Sequence, residues 1–149
     1  MLGKLNPEQM DHVLRSQVVG RIACYADGIV YLVPITYLYD GQYIYGHTKV
    51  GLKVRMMRHN PRICFEVDAI ENLANWQTVI IQGTFEELTG EESQNARRML
   101  LNRMTPLLVS EMSMSDDSPG IHQPITASPL ALITFRINIL EKTGRYEKR

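Results

Sequence analysis

Alternation of apolar and polar residues divides most of the chain into short strands separated by turn signals. Asp27-Gly28 is a strong hairpin signal, and Asp40-Gly41 marks a second turn. Stretches joined by such turns become antiparallel neighbours. The pattern predicts a mainly β domain with six strands, over residues 18–26, 29–39, 42–46, 62–68, 76–88 and 131–140.

The faces of these strands indicate which side chains line the core. Inward positions are predicted for Ile63, Phe65 and Val67, for Val79, Ile81 and Phe85, and for Ala131, Ile133, Phe135, Ile137 and Ile139. Residues 30–35 are apolar on both faces, which suits a barrel strand covered by a helix or by a second subunit. Pro34 cannot donate a ladder hydrogen bond, so an edge or a bulge is predicted there.

Three helices are predicted between the strands. Asn6 caps the first and Pro7 occupies its first position. Thr48 is predicted to cap the second, which ends before Asn60-Pro61, and Thr89 begins a capping box for the third, which runs to about residue 104. Residues 105–129 form a segment that is longer than the loops that merely connect two elements in a compact domain. They form either a lid or partner-binding loop, or a poorly ordered excursion with a short helix near residues 107–112.

Composition narrows the class of protein. The 149 residues suit a single domain, and sixteen basic side chains balance sixteen acidic ones, so no nucleic acid partner is expected. No apolar run approaches the ~20 residues needed to cross a membrane, and the first residues lack a secretion signal, which predicts a soluble cytoplasmic protein with no membrane partner. Cys24 and Cys64 are predicted to be reduced thiols. His12, His59 and His122 are too scattered for a metal site.

The stretch from Gly46 to Met57 carries the most chemistry. The first turn of a helix has free N–H groups and a partial positive charge, and it normally favours acidic side chains. Here the sequence places Lys49 and Lys53 beside Gly51. A bound anion such as a phosphate, met by the Thr48 hydroxyl and an ammonium, would explain this placement. The alternative is that both lysines extend into solvent.

Several short motifs occur in an order that resembles a known family. They are Gly20-Arg21-Ile22-Ala23, Val33-Pro34-Ile35, Asp40-Gly41, Tyr45-Gly46-His47-Thr48, Lys53, Asn60-Pro61 and residues 76–83. The chain resembles the FMN-binding split-barrel superfamily of pyridoxamine 5′-phosphate oxidase over about residues 5–145, and within it the branch of nitroimidazole-resistance and flavin-nucleotide-binding proteins. The resemblance implies a six-stranded antiparallel split β-barrel with Greek-key order.

The same resemblance implies a homodimer that holds FMN at its interface. Carried over by position, the cofactor contacts would be Arg21, Pro34, Ile35, Thr36, Gly46, His47, Thr48, Lys53, Trp76 and Gln82. Lys53 and Thr48 would bind the phosphate, and Trp76 and Gln82 would often come from the partner chain. The C-terminal segment with which the true oxidase recognises pyridoxamine phosphate is missing, so vitamin B6 oxidation is not expected.

His47 and the reaction itself leave alternatives open. His47 beside a flavin would be a catalytic proton donor or a ligand contact, or it would only satisfy a backbone carbonyl. Trp76 is alternatively a core residue. The first functional hypothesis is an oxidoreductase that passes electrons from NADH or NADPH through FMN to a small acceptor such as a nitroaromatic ring. The others are a flavin carrier or redox sensor without turnover, and a haem or deazaflavin binder on the same barrel.

Overall fold

A computed structural model of the protein describes residues 1–112 and 132–149, and within them it places eight strands and three helices. The strands are β1 (Leu2–Lys4), β2 (Val19–Ala26), β3 (Ile29–Thr36), β4 (Leu38–Tyr39), β5 (Tyr43–Lys49), β6 (Arg62–Asn72), β7 (Asn75–Leu88) and β8 (Leu132–Glu147). The helices are α1 (Pro7–Ser16), α2 (Leu52–His59) and α3 (Gly90–Met112). The predicted mainly β class with three helices is confirmed, with eight strands rather than six.

All the strands belong to one antiparallel sheet. Its order is β3-β2-β6-β7-β8-β5-β4, and β1 pairs with β8. Asp27 and Gly28 join β2 to β3 with φ values of 52° and 78°, the left-handed pair that a two-residue hairpin turn requires. β3 ends the strand order, so Pro34 lies on an edge strand, as predicted.

The two additional strands arise from tertiary pairing rather than from local pattern. The predicted strand over residues 29–39 is divided at Tyr37 into β3 and β4, which lie at opposite ends of the strand order. The Tyr37 N–H donates to the carbonyl of Val18 at 3.0 Å, and its hydroxyl donates to the carbonyl of Leu14 at 2.6 Å. This buried tyrosine therefore fixes a corner of the chain. β1 was not predicted, and it is a strand only because β8 extends to Glu147 and pairs with it.

The core lies on the inward face of the sheet, as the alternation predicts. Its fully enclosed side chains include Ile22, Phe65, Val79, Ile81 and Ile137. Of the other predicted inward residues, Ile63, Val67, Phe85 and Phe135 are buried, and Ile133 and Ile139 are partly buried against the core. Ala131 lies outside the described residues.

The helices cover the sheet at separate places. α1 has the predicted cap, in which Asn6 and Gln9 exchange hydrogen bonds of 2.9 Å. α3 continues past the predicted end at residue 104, through Pro106 to Met112. It buries Ala96 and Leu100 in a second cluster with residues of β5 and β7. The predicted lid or excursion over residues 105–129 is thus helical up to Met112, and the rest of it lies outside the described residues.

Candidate functional site

The start of α2 differs from the sequence prediction. Thr48 does not cap the helix, because it continues β5, where its hydroxyl donates to the carbonyl of Lys49 at 3.3 Å. The N-cap is Gly51, in an extended conformation with φ −137° and ψ −156°, and no side chain caps the helix. The first-turn N–H groups of α2 therefore lack a side-chain acceptor.

The other two helices show what α2 is missing. α1 has a complete capping box and an acidic Glu8 in its first turn, and α3 has Glu91 and Glu92. The first turn of α2 contains no acidic residue and instead contains Lys53. A helix N-terminus carries about half a positive charge. The start of α2 is therefore the most electropositive of the three helix starts, with nothing acidic in its own first turn to offset it.

Lys53 is half-buried beside Cys24 of β2. Burial lowers the pKa of its ammonium, and the nearby Cys24 thiol offsets this in part. Within the part of the chain that the structure describes, Lys53 forms no ion pair. A side chain placed at Gly51 would meet nothing within 4 Å. Open space therefore lies in front of an uncapped helix start and a partly dehydrated cation, and an anion is the ligand that this arrangement favours.

β5 presents its predicted site residues on two opposite faces. Gly46 lies against the ring of Phe135 in the core, and Thr48 shares that face. Tyr45 packs in the cluster beneath α3, and His47 lies on that second face, near Arg97 of α3. His47 and Thr48 thus cannot point toward the same ligand from one strand.

The His47 imidazole is unusual in its hydrogen bonding. Its Nδ1 atom is buried and has no hydrogen-bond partner among residues 1–112 and 132–149. Burial lowers the pKa of His47, and the positive charge of Arg97 lowers it further, so the ring is neutral at pH 7. The structure therefore gives no support to the alternative in which this nitrogen only satisfies a backbone carbonyl.

Arg21 and Pro34 lie opposite each other on β2 and β3, on the outer face of the sheet. Arg21 forms an ion pair of 3.1 Å with Asp68 of β6. Ile35 points inward and is buried, whereas Thr36 is exposed at the end of β3. The Arg21 guanidinium is thus already partnered by a carboxylate, which makes it a weaker candidate for a phosphate contact than Lys53.

Gln82 and Trp76 lie on the same strand but far apart. The Gln82 amide donates to the thiol of Cys64 at 3.5 Å, and both line a cavity of about 220 Å³ on the outer face. Trp76 lines a different cavity of about 270 Å³ near the other end of β7. The rise of a strand separates the two residues by roughly 20 Å. One chain therefore does not bring the predicted cofactor contacts together in a single site.

The two cysteines differ in their burial. Cys24 is buried, Cys64 is half-buried, and both are free thiols. In the described ranges, no three His, Cys, Asp or Glu side chains form a group that could hold a metal ion. No helix in those ranges combines the length and the apolar composition needed to cross a membrane.

Sequence reasoning did not find two features of these sites. Gly51 as the uncapped N-cap was missed because Thr48 matches the preferred N-cap type and stands before a helical pattern. Arg97 was missed as a neighbour of His47 because it lies off the apolar stripe of α3, and no local signal pairs it with β5.

Comparison with other proteins gives the same architecture. Residues 6–122 match the sequence pattern of the pyridoxamine 5′-phosphate oxidase family. A FAD-binding protein from Mesorhizobium loti is 26% identical, the match covers 100% of this chain and 98% of that one, and the TM-score is 0.78. The uncharacterized protein RA0666 of Rhizobium meliloti (strain 1021) is 25% identical over 149 residues, 95% of this chain and 92% of that protein.

A more distant structure shares the fold alone. A candidate 5-nitroimidazole antibiotic resistance protein from Bacteroides thetaiotaomicron has a TM-score of 0.67 at 13% identity, over 98% of this chain and 87% of that one. The resemblance drawn from the motifs is thus confirmed at the level of family and fold.

Proposed function

The chain belongs to the pyridoxamine 5′-phosphate oxidase family, and we propose that it binds a flavin nucleotide, FMN, with the phosphate at the start of α2. The observation that carries this proposal is the uncapped N-terminus of α2 with Lys53 in its first turn. The similarity to a FAD-binding protein over the whole chain supports the class of cofactor.

The residues at the start of α2 fit a phosphate group. Free N–H groups of the first turn would donate to its oxygens, and Gly51 leaves room for a close approach. The Lys53 ammonium would form an ion pair with the phosphate, which would offset the cost of its burial. Thr48 is the penultimate residue of β5 and lies on its core face, three residues before Gly51, and its hydroxyl would donate to the same group.

The ring of the flavin would extend from this point along β3. β3 and β5 approach each other in the fold, so a ligand held at the start of α2 lies close to the end of β3. Pro34, Ile35 and Thr36 are at that end, and they would offer backbone groups to the polar edge of the ring. When bound, the flavin would supply hydride chemistry, and the protein would supply orientation and a partly dry pocket.

We further propose that two chains form a homodimer through the outer face of β2 and β3. Tyr25, Val30 and Leu32 are neighbours on that face, and they are 50%, 74% and 60% exposed. A contiguous apolar patch of this kind is typical of a protein interface. A partner chain would also bring its Trp76 and Gln82 to the flavin, which one chain alone does not do. The test is light scattering of the flavin-loaded protein, and a particle of 17.1 kDa would contradict the shared site.

The proposed reaction is the transfer of electrons from NADH or NADPH to a small acceptor, such as a nitroaromatic ring. His47 faces away from Thr48, so it is proposed as a contact to the substrate or to the flavin whose phosphate the partner chain holds. It is not proposed as an acid, because its lowered pKa keeps the ring neutral at pH 7. Anaerobic mixing with NADH or NADPH tests turnover. Bleaching of the flavin absorbance is expected, and its persistence with both donors would instead favour a carrier or redox-sensing module.

The phosphate assignment is tested by a pair of lysine variants. Lys53→Ala should weaken FMN binding by about 1.5–3 kcal/mol, the range for a charge-assisted hydrogen bond. Lys49→Ala removes the same charge from an exposed position at the end of β5, and its affinity should stay within about twofold. The measurement is a flavin fluorescence titration with FMN, FAD and riboflavin.

The three ligands separate the parts of the proposal. Riboflavin has no phosphate, so Lys53→Ala should leave its affinity nearly unchanged. Equal losses for FMN and riboflavin would contradict the phosphate site. Tighter binding of FAD than of FMN would contradict the choice of FMN while leaving the flavin class intact.

A further inference from the structure

Two carboxylates lie side by side on the outer face of the sheet, on the strand next to β2. Glu66 and Asp68 are alternate residues of β6, so their side chains point to the same side, and both are half-buried. Arg21 of β2 is the register partner of Glu66, and its guanidinium forms an ion pair of 3.1 Å with Asp68. When both carboxylates are ionised, this group of three side chains carries one more negative than positive charge.

The strands beside Glu66 supply no second cation in contact with it, within the part of the chain that the structure describes. On its own strand the neighbours of this face are Asp68 and the neutral Cys64 thiol. On β7 they are uncharged: Thr78, Ile80 and Gln82. β8 follows two strand spacings away, at roughly 10 Å, with three residues in line: Glu141, Thr143 and Arg145. Burial and the adjacent Asp68 therefore raise the pKa of Glu66, and Arg21 offsets this only in part.

The proposed homodimer would cover these carboxylates. Its contact surface includes the apolar patch on β2 and β3 and the outer face of β7, which would bring Trp76 and Gln82 to the partner's flavin. β6 lies between β2 and β7 in the strand order. Glu66 pairs with Ile80, which lies between Trp76 and Gln82 on β7. A partner that contacts the sheet on both sides of β6 therefore also buries Glu66 and Asp68.

Burial by a partner chain makes an ionised Glu66 costly. A carboxylate loses much hydration free energy when it leaves water, whereas a protonated carboxyl group loses far less. Because Arg21 already pairs with Asp68, Glu66 would enter the interface without a cation of its own. In a two-fold dimer the same excess charge occurs in both chains. Protonation of Glu66 removes this cost, and the protonated group can donate to the neighbouring Asp68 carboxylate.

We propose that each chain takes up a proton on Glu66 when the homodimer forms, so that low pH favours the dimer and the flavin site that its two chains share. This proposal rests on the proposed homodimer and adds its regulation by pH. Because the dimer binds more protons than the separate chains, its association constant rises as the pH falls. Each proton taken up changes that constant by up to about tenfold per pH unit.

The experiment measures the dimer dissociation constant of the flavin-loaded protein by sedimentation equilibrium at about pH 5.5 and at about pH 8. For the wild-type protein this constant should be at least about tenfold larger at the higher pH. Glu66→Gln imitates a protonated Glu66, so its dimer should be tight and nearly independent of pH. A phosphate monoester such as FMN itself titrates near pH ~6. That contribution is common to both proteins, so the ratio of their dissociation constants isolates Glu66.

Two further variants test the charge balance. Glu8→Gln removes an exposed carboxylate from the first turn of α1, and its dimer should keep the full pH dependence of the wild type. Asp68→Asn frees Arg21 to pair with Glu66, so most of the pH dependence should be lost although the Glu66 carboxyl group is still present. Circular dichroism of each variant checks that the fold is retained.

Three results would overturn the proposal. The first is a wild-type dimer with equal dissociation constants at both pH values. The second is equal pH dependence in the wild type and in Glu66→Gln, which would assign the effect to another group, such as His59 beside Asp27 at the β2–β3 turn. The third is a dimer that tightens toward high pH, which would mean that a cation of the partner neutralises Glu66.

These results leave the homodimer itself in place, so the two proposals fail separately. A particle of 17.1 kDa at both pH values would instead contradict the homodimer, and the regulation proposed for it would fall as well.

Discussion

Replacing Gly51 by Asp should make the protein more stable and its flavin binding weaker at the same time. Gly51 is the N-cap of α2, with φ −137°, which any residue adopts, and with nothing within 4 Å of an added side chain. Asp at this position can accept hydrogen bonds from the first-turn N–H groups. Those are the same groups that the proposed phosphate would use, so the two acceptors exclude each other.

The size of each effect follows from simple electrostatics. A capping carboxylate at a helix start contributes about 0.5–1 kcal/mol to the free energy of unfolding. The same carboxylate about 5 Å from one phosphate charge repels it by roughly 3 kcal/mol at an effective dielectric constant of ~20, and by roughly 0.8 kcal/mol in bulk water. The Kd for FMN should therefore rise by roughly 4- to 150-fold.

Gly51→Asn is the matched control, because Asn has nearly the same shape and caps equally well without a charge. Urea unfolding of the flavin-free variants and FMN fluorescence titration give the two quantities. The difference in Kd between the Asp and Asn variants isolates the charge, and it should shrink at about 1 M salt, where screening acts over ~3 Å. Equal FMN affinities for the two variants at low salt would refute an anion site at α2.

Two further predictions concern the scaffold. Asp11 accepts hydrogen bonds from Lys142 and Tyr39 at 2.9 and 2.8 Å. Burial alone would raise the pKa of Asp11, but these hydrogen bonds have the larger combined effect, so the pKa of the carboxyl group is lowered. Asp11→Asn should thus cost about 1 kcal/mol near neutral pH. The difference should shrink as the pH falls toward the lowered pKa, because the carboxylate then becomes protonated in the folded protein as well. Urea melts near pH 7 and at about pH 3 measure the two losses, and equal losses would contradict this. Gly20→Ala should lower the free energy of unfolding by about 1–3 kcal/mol in thermal melts, because the new methyl group meets the buried Phe65 ring. The control is Ala23→Ser, which adds one atom on the opposite face of β2 and should cost less than about 0.5 kcal/mol. Similar losses for both variants would argue against the clash.

Elements with strong local signals could be predicted from the sequence. The Asn6 cap of α1, the Asp27-Gly28 turn and the inward triplet Ile63, Phe65 and Val67 all appear in the structure as predicted. In each of them the signal is complete within about ten residues, since caps, turns and strand alternation are properties of adjacent positions. Tertiary contacts agree with these signals and do not have to override them.

The errors occur where two distant segments decide the outcome. Thr48 matches a cap, yet pairing with Ile133 of β8 keeps it in a strand, so the helix begins three residues later. Leu38 continues an apolar run, but the contacts of Tyr37 with Leu14 and Val18 turn the chain before it, so β4 does not continue along β2. No window of adjacent residues contains the information about a partner such as Ile133, which lies 85 positions after Thr48. The strand boundaries and the placement of His47 opposite Arg97 depend on such partners.

The way in which α2 departs from local rules is itself informative about function. In most of a protein, the local preferences of the sequence, such as helix caps and charge placement, agree with the structure that forms. Exceptions concentrate at functional sites. α1 has a complete capping box and α3 has two acidic residues in its first turn, whereas α2 has neither. Its N-cap is a glycine, and among the residues that the structure describes its half-buried Lys53 has no carboxylate partner. The missing cap and the unpaired lysine each lower the stability of the protein unless a negatively charged group binds, and a single bound anion would compensate for both. Two deficiencies with one common remedy, in a helix of only eight residues, favour a retained ligand site over chance.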